Sequence, residues 1–201
     1  MNTAGSKGVP RAQREHQILD AAASEIARAG YAGLSPATVA ATAGVSKPLV
    51  YAYFDSKDGL YVACVQRAAT VLGNAIDEAI DGPTQGMAGR TLAGIFAALE
   101  ARPQDWGVVF DRSLPADGPA AQASLEARRR IADQATRGVE AVSADLELTD
   151  SDDLSALTAV WMGTVTALIE WWLRHPGESA ASMTARSHRL TTALGFGSKQ
   201  A

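Results

Sequence analysis

Apolar residues fall at helical spacing along most of the chain. Ile18, Ala22, Ile26 and Ala29 share one face of a helix predicted from Arg11 to Gly30, where the glycine ends it. Tyr31 to Leu34 connects to a second, shorter helix. Ser35 is its N-cap, Pro36 occupies the first helical position, and Val39, Ala40 and Ala43 face inward. Gly44 suits a left-handed helix end and Val45 plugs the corner. Ser46 then caps a helix over Lys47 to Phe54. A broad stripe from Leu60 and Tyr61 through Cys64, Val65, Ala68 and Leu72 to Ile76 predicts a long helix from Ser56 to Ile80. Asp58 in its first turn complements the helix dipole.

Asp81, Gly82 and Pro83 break that helix. Further helices are predicted over Thr84 to Ala101 and Ala120 to Leu146, with a short segment from Gln104 to Leu114 and a loop from Pro115 to Pro119 between them. Leu154 to Arg174 is the most apolar helix, with Thr149 or Ser151 as its cap, and His175-Pro176-Gly177 ends it. A last helix starts at Glu178 or Ser179 and ends near Gly195. No apolar run is expected to reach membrane-spanning length. The fold class is therefore all-α: a three-helix head with a small core (Ile18, Ala22, Ile26, Val39, Ala43, Val45, Val50, Phe54) and a helical body.

Two short helices joined by a tight Gly-containing turn, Leu34 to Lys57, have the layout of a helix-turn-helix, whose second helix enters the DNA major groove. The string AGVSKPLVYAYFDSKDGLY closely resembles the signature of the TetR family of bacterial transcriptional regulators. The matching features are the turn from Ala43 to Ser46, the aromatic end of the recognition helix from Tyr51 to Phe54, and the opening of the next helix from Ser56 to Leu60. Leu49 departs from the glycine or threonine common at that place. The resemblance covers roughly Arg11 to Tyr61; beyond it the chain is similar to the family in length and helicity.

The resemblance implies a DNA-contacting set. Lys47, Pro48, Leu49, Tyr51 and Tyr53 face the groove, with the tyrosines on phosphates and Pro48 and Leu49 near thymine methyl groups. Ser46 opens this helix. Ser35, Ala37 and Thr38 open the preceding one, beside the other strand. Lys57 clamps a phosphate at a helix N-terminus, and Arg11 and Arg14 reach the backbone or the minor groove. The competing assignment for Tyr51 and Tyr53 is closure of the head core; for Lys47 it is an ordinary surface lysine. Phosphate contacts carry no sequence information, so the operator is not derivable from these residues.

Charge changes the picture modestly. The chain has a net charge of −4, but residues 1–57 hold six Lys or Arg against four Asp or Glu, net +2, and the remainder holds 12 against 18, net −6. A basic head on an acidic body fits a DNA-binding module. The residues place the head at 11–57, the regulatory and dimerisation body at 58–195, and tails at 1–10 and 196–201. The first residues lack an apolar signal segment, and one cysteine, Cys64, allows no internal disulfide; a cytoplasmic protein is expected.

The body is read as a dimerisation and sensor unit. Leu157, Val160, Thr164, Leu168, Trp172 and Leu190 are the candidate dimer interface, with two helices per subunit forming a four-helix bundle as the resemblance implies. Ordinary monomer core is the competing assignment. Phe96, Trp106, Phe110, Arg112, Trp161 and Glu170 are candidates for an effector pocket, since such pockets pair large apolar rings with a few polar groups. For the tryptophans, core or interface competes. The expected function is a homodimeric regulator, a repressor, that binds a palindromic operator in double-stranded DNA and is released by a small-molecule effector. The alternative is a helical small-molecule-binding or scaffolding protein whose helix-turn-helix does not read DNA.

Catalysis is not expected. His16, His175 and His188 lack ligand spacing, one cysteine makes no zinc signature, and neither GxxxxGK[ST] nor GxGxxG occurs. Asp152-Asp153 suits a helix dipole better than acid–base work. No cofactor, metal or membrane partner is expected.

Overall fold

The computed structural model describes residues 8–144 and 148–193. Among these, nine helices follow one another: α1 (Arg11–Gly33), α2 (Pro36–Thr42), α3 (Lys47–Phe54), α4 (Lys57–Ile80), α5 (Met87–Glu100), α6 (Gln104–Val109), α7 (Pro119–Ala144), α8 (Ser151–Leu173) and α9 (Ala180–Ala193). No strand occurs among the described residues, so the all-α expectation holds. The expected ends of the seventh and last helices, at Leu146 and Gly195, and the C-terminal tail lie outside the described residues, as does most of the N-terminal tail.

The chain divides into two compact units. Among the described residues, the first comprises 8–68 and 104–127; the second comprises 69–103, 128–144 and 148–193. In the first unit, α1, α2 and α3 bury Ile18, Ala22, Ile26, Val39, Val50 and Phe54, six of the eight expected core residues. Ala43 and Val45 are only half-buried, because they line the turn rather than the interior. Leu34 adds to this core. The short α6 packs on α1 and buries Trp106, Val108 and Val109. The expected head, 11–57, thus shares its unit with the start of α4 and with a segment some 50 residues later.

α1 runs three residues beyond the expected stop. Gly30 has φ 65° and ψ −179°, a backbone state open to glycine, so the helix kinks there and resumes instead of ending. α4 begins against the end of α3. Asp55 takes a positive φ of 62°, and the Gly59 amide donates to Ser56 Oγ at 2.9 Å.

In the second unit α5 and α9 pack closely. The Phe96 ring meets Trp172 edge-on at 5.3 Å. Trp172 Nε1 donates to the Glu178 carbonyl at 2.7 Å, and the Ala180 amide donates to Glu100 at 2.9 Å. The later part of α4 is tied to α7 by Arg130 and Arg137 on Asp77 (3.1 and 2.8 Å) and by Gln134 Nε2 donating to the Gly73 carbonyl at 2.8 Å. α5 starts at Met87, after the left-handed Gly86, rather than at Thr84.

α8 departs from expectation twice. Its N-cap is Asp150, whose carboxylate accepts from the amides of Asp152 and Asp153, not Thr149 or Ser151. With 23 residues and a mean hydropathy of 1.3 over its most apolar stretch, it is also long and apolar enough to cross a bilayer, contrary to the reading that no run reaches that length. Only 17% of that stretch is buried within the chain.

Candidate nucleic-acid interface

Local chemistry builds the helix-turn-helix. The Thr38 amide donates to Ser35 Oγ and the Leu49 amide to Ser46 Oγ, both at 3.3 Å, and a proline sits in the first turn of each helix. Between them Gly44 adopts φ 65°, and the Val45 amide donates back to the Ala40 carbonyl at 2.9 Å. These bonds fix where α3 begins and which of its faces turns inward.

α3 is two-sided. Val50 and Phe54 are buried, while Lys47 and Pro48 are exposed and Leu49, Tyr51 and Tyr53 are half-exposed. Ala37 and Thr38 in α2 are exposed too, with Ser35 half-buried beneath its capping bond. The first unit therefore holds all eleven expected contact residues, and the exposed side of α3 carries five of them.

Cations and rings alternate across this surface. The Lys47 ammonium lies 5.8 Å from the Tyr51 ring centre, and the Arg11 guanidinium lies 5.1 Å from that of Tyr53. Tyr53 Oη reaches the Arg11 carbonyl at 3.5 Å, which seats the start of α1 beside the end of α3. Neither tyrosine is part of the buried core. Arg14, by contrast, is buried and donates to Gln17 at 3.0 Å.

Lys57 has an internal role. Its ammonium donates to the Ala32 carbonyl at 3.3 Å and stands 4.4 Å from the centre of the Tyr31 ring. The Tyr31 hydroxyl donates to Asp58, and that bond, foremost, pushes the phenol's pKa up. This joint between α1 and α4 is not legible in the sequence, because Tyr31 and Asp58 stand 27 residues apart and no local pattern pairs them.

The remaining candidates divide between the units. The Trp106 and Phe110 rings lie 4.2 Å apart, tilted by 36°, in the first unit, where Arg112 is exposed. Phe96, Trp161 and Glu170 belong to the second, with Phe96 wholly buried and Glu170 exposed. Of the interface candidates, Val160 and Leu190 are exposed, at 54% and 42%, and Leu157, Thr164 and Leu168 are half-buried. Trp172 turns inward onto Phe96.

The helix-turn-helix and its flanks coincide with a known family. Residues 18–64 match bacterial regulatory proteins of the tetR family. The head belongs to the TetR family. A curated relative, the HTH-type transcriptional activator FasR of Mycolicibacterium smegmatis, is 31% identical over 105 residues, 51% of this chain and 48% of that protein. The match thus spans about half of each. Likeness in fold extends further. A TetR-like transcriptional regulator from Rhodococcus sp. RHA1 superposes with a TM-score of 0.67 at 25% identity, covering 88% of this chain and 92% of that one. The transcriptional regulator FadR of Bacillus subtilis, solved in complex with stearoyl-CoA, gives 0.69 at 18% identity over 89% of this chain and 96% of that one. Over residues 18–64 the chain carries the helix-turn-helix of TetR-family regulators, and its all-helical fold is similar to that of TetR-like regulators.

Proposed function

We propose that the chain acts as a homodimer that binds a palindromic operator through α3 and releases it, or takes it up, in response to a small molecule held by the second unit. The observation that carries the reading is the two-sidedness of α3. Its buried residues fasten it to the head, while Lys47, Pro48, Leu49, Tyr51 and Tyr53 present a cationic and aromatic surface to solvent. That combination suits a groove walled by phosphates and floored by base edges. A helix of eight residues covers little DNA, so a second copy is needed for tight binding and imposes two-fold symmetry on the site.

The exposed side of α8 supports the second copy. Ala156, Val160, Gly163 and Ala167 lie along one face of an apolar helix and are all exposed. An apolar helix face left in water is the sort of surface that a like face covers in a symmetric dimer. Asp152 and Asp153 in its first turn and the exposed Glu170 within it favour this over a lipid environment. Such a dimer would work where the DNA is, in the cytoplasm. The sign of regulation follows from where the operator lies relative to a promoter. Repression is the expectation from the family resemblance, and the FasR relative, named an activator, points the other way. Because FadR was solved with stearoyl-CoA, a long-chain acyl-CoA is the first effector to test.

The test is salt dependence. Binding to a selected palindromic duplex is expected to fall steeply with salt, and Lys47→Ala to lower the log–log slope by about one while leaving the fold intact. A flat response in the wild type would favour the alternative, a helical binding or scaffolding protein whose helix-turn-helix does not read DNA.

A further inference from the structure

Asp111 is a buried carboxylate far in sequence from the helix-turn-helix, and both of its oxygens are held by backbone amides. Oδ2 accepts from the Tyr31 amide at 2.7 Å, across 80 residues of chain, and Oδ1 accepts from the Ser113 amide at 2.8 Å. The Tyr61 hydroxyl lies 3.3 Å from Oδ2 and 3.4 Å from the Val108 carbonyl, so its single proton is shared between them. A buried carboxylate with a backbone amide on each oxygen is a strong, directional anchor.

What it anchors is the kink in α1. Gly30 breaks the helix with φ 65°, and Tyr31 is the next residue. A side chain at Gly30 would lie 2.0 Å from Ser113 Oγ, so the 111–113 segment closes directly over the break. Ser113 Oγ also accepts from the Ala32 amide at 3.3 Å. Immediately beyond, the Tyr31 ring meets Tyr61 edge-on at 5.2 Å and its hydroxyl reaches Asp58. Lys57 spans the Tyr31 ring and the Ala32 carbonyl. Four residues after Tyr31 the chain enters α2 at Ser35, so the backbone direction set at this kink is the direction in which α2 and α3 leave α1.

We infer that Asp111 is a positioning residue for DNA recognition: it touches no DNA, but by holding the Tyr31 amide it fixes the kink that orients the helix-turn-helix. This rests on the DNA-binding reading above. The carboxylate cannot be replaced by its amide. Because each oxygen faces a backbone N–H, an asparagine in either orientation turns its NH2 group against one of them.

The test uses the full chain with Asp111→Asn, and Tyr61→Phe as a control that removes the hydroxyl shared between Asp111 and the Val108 carbonyl but leaves both backbone amides on the carboxylate. Binding to the selected palindrome and to random duplex is measured by fluorescence anisotropy, at a temperature where circular dichroism shows each variant folded. Asp111→Asn is expected to weaken palindrome binding by about tenfold or more. Random-duplex binding, set by phosphate contacts, is expected to change by less than about twofold. A merely structural role would lower the melting temperature and leave both affinities of the folded protein alike, and that result overturns the inference. If Asp111→Asn does not fold, Asp111→Ser, which keeps a small acceptor for one of the two amides, takes its place. If the wild type selects no palindrome, the DNA reading fails on its own and the inference is decided by amide hydrogen exchange. Loss of protection at Tyr31 and through α2 and α3 in the variant supports it; unchanged protection there sinks it.

Discussion

Gly59 has no room for a side chain. A Cβ on it would stand 2.0 Å from the Phe54 carbonyl oxygen, a backbone atom at the end of the recognition helix. Gly59→Ala must therefore push α4 away from α3, and we expect a loss of about 2 kcal/mol or more in denaturant unfolding; an unchanged midpoint would show that the joint gives way freely. Cys64 is buried, and burial pushes its thiol pKa up to about 12. It should resist iodoacetamide at pH 8 in the folded protein and label only as the chain unfolds, whereas prompt labelling under native conditions would contradict its placement. Asp77 offers a pH test. The Gln134 amide foremost, with Arg130 and Arg137, holds its carboxyl below the usual carboxylate range, against a smaller opposing effect of burial. A lowered folded-state pKa means that its stabilisation is present above the unfolded value, about pH 4, and is lost as pH falls through the folded value. The difference in stability between wild type and Asp77→Asn should accordingly be constant near neutrality and shrink in acid. A pH-independent difference would mean that the carboxylate's charge is not what matters.

Among the elements, α8 makes the most exposed claim. Val160 is 54% exposed, so Val160→Glu should leave the subunit folded, yet it puts a charge in the middle of the apolar face. Light scattering is expected to show dimers dissociating at concentrations at least about tenfold higher than for the wild type. An equally tight dimer would move the interface elsewhere. How legible each element was depended on where its signals lie. The helix-turn-helix was readable to within a residue because its stops are local: Ser35 and Ser46 cap, Pro36 and Pro48 open, and Gly44 turns. The outward-facing residues of α3 follow from the resemblance to the TetR signature, and they are exposed or half-exposed. The kink at Gly30 was not readable, since a glycine that ends a helix and one that bends it look alike until the Tyr31 amide finds Asp111, 80 residues on. The grouping of 104–127 with the head escaped for the same reason. The apolar pattern of α8 was plain, but which of its sides is buried depends on partners such as Phe96 against Trp172.

At the scale of the whole molecule, charge is unevenly distributed along the chain. Residues 1–57 are net +2 in a chain of net −4, and the fold resembles that of TetR-like regulators across nearly its full length. On the proposed reading, the small excess of positive charge favours encounter with DNA and would leave recognition to the side chains of α3 and to the symmetry of two copies. The central claim is that this surface reads sequence. Its most direct test is selection of bound duplexes from a random pool by the purified full chain, with Tyr51→Ala in parallel. Half-exposed on α3, with Lys47 beside its ring, Tyr51 can be removed without opening the core. An enriched palindrome with the wild type, lost or degraded with Tyr51→Ala, is the predicted result. No enrichment from a folded dimer, with and without a long-chain acyl-CoA, would contradict it.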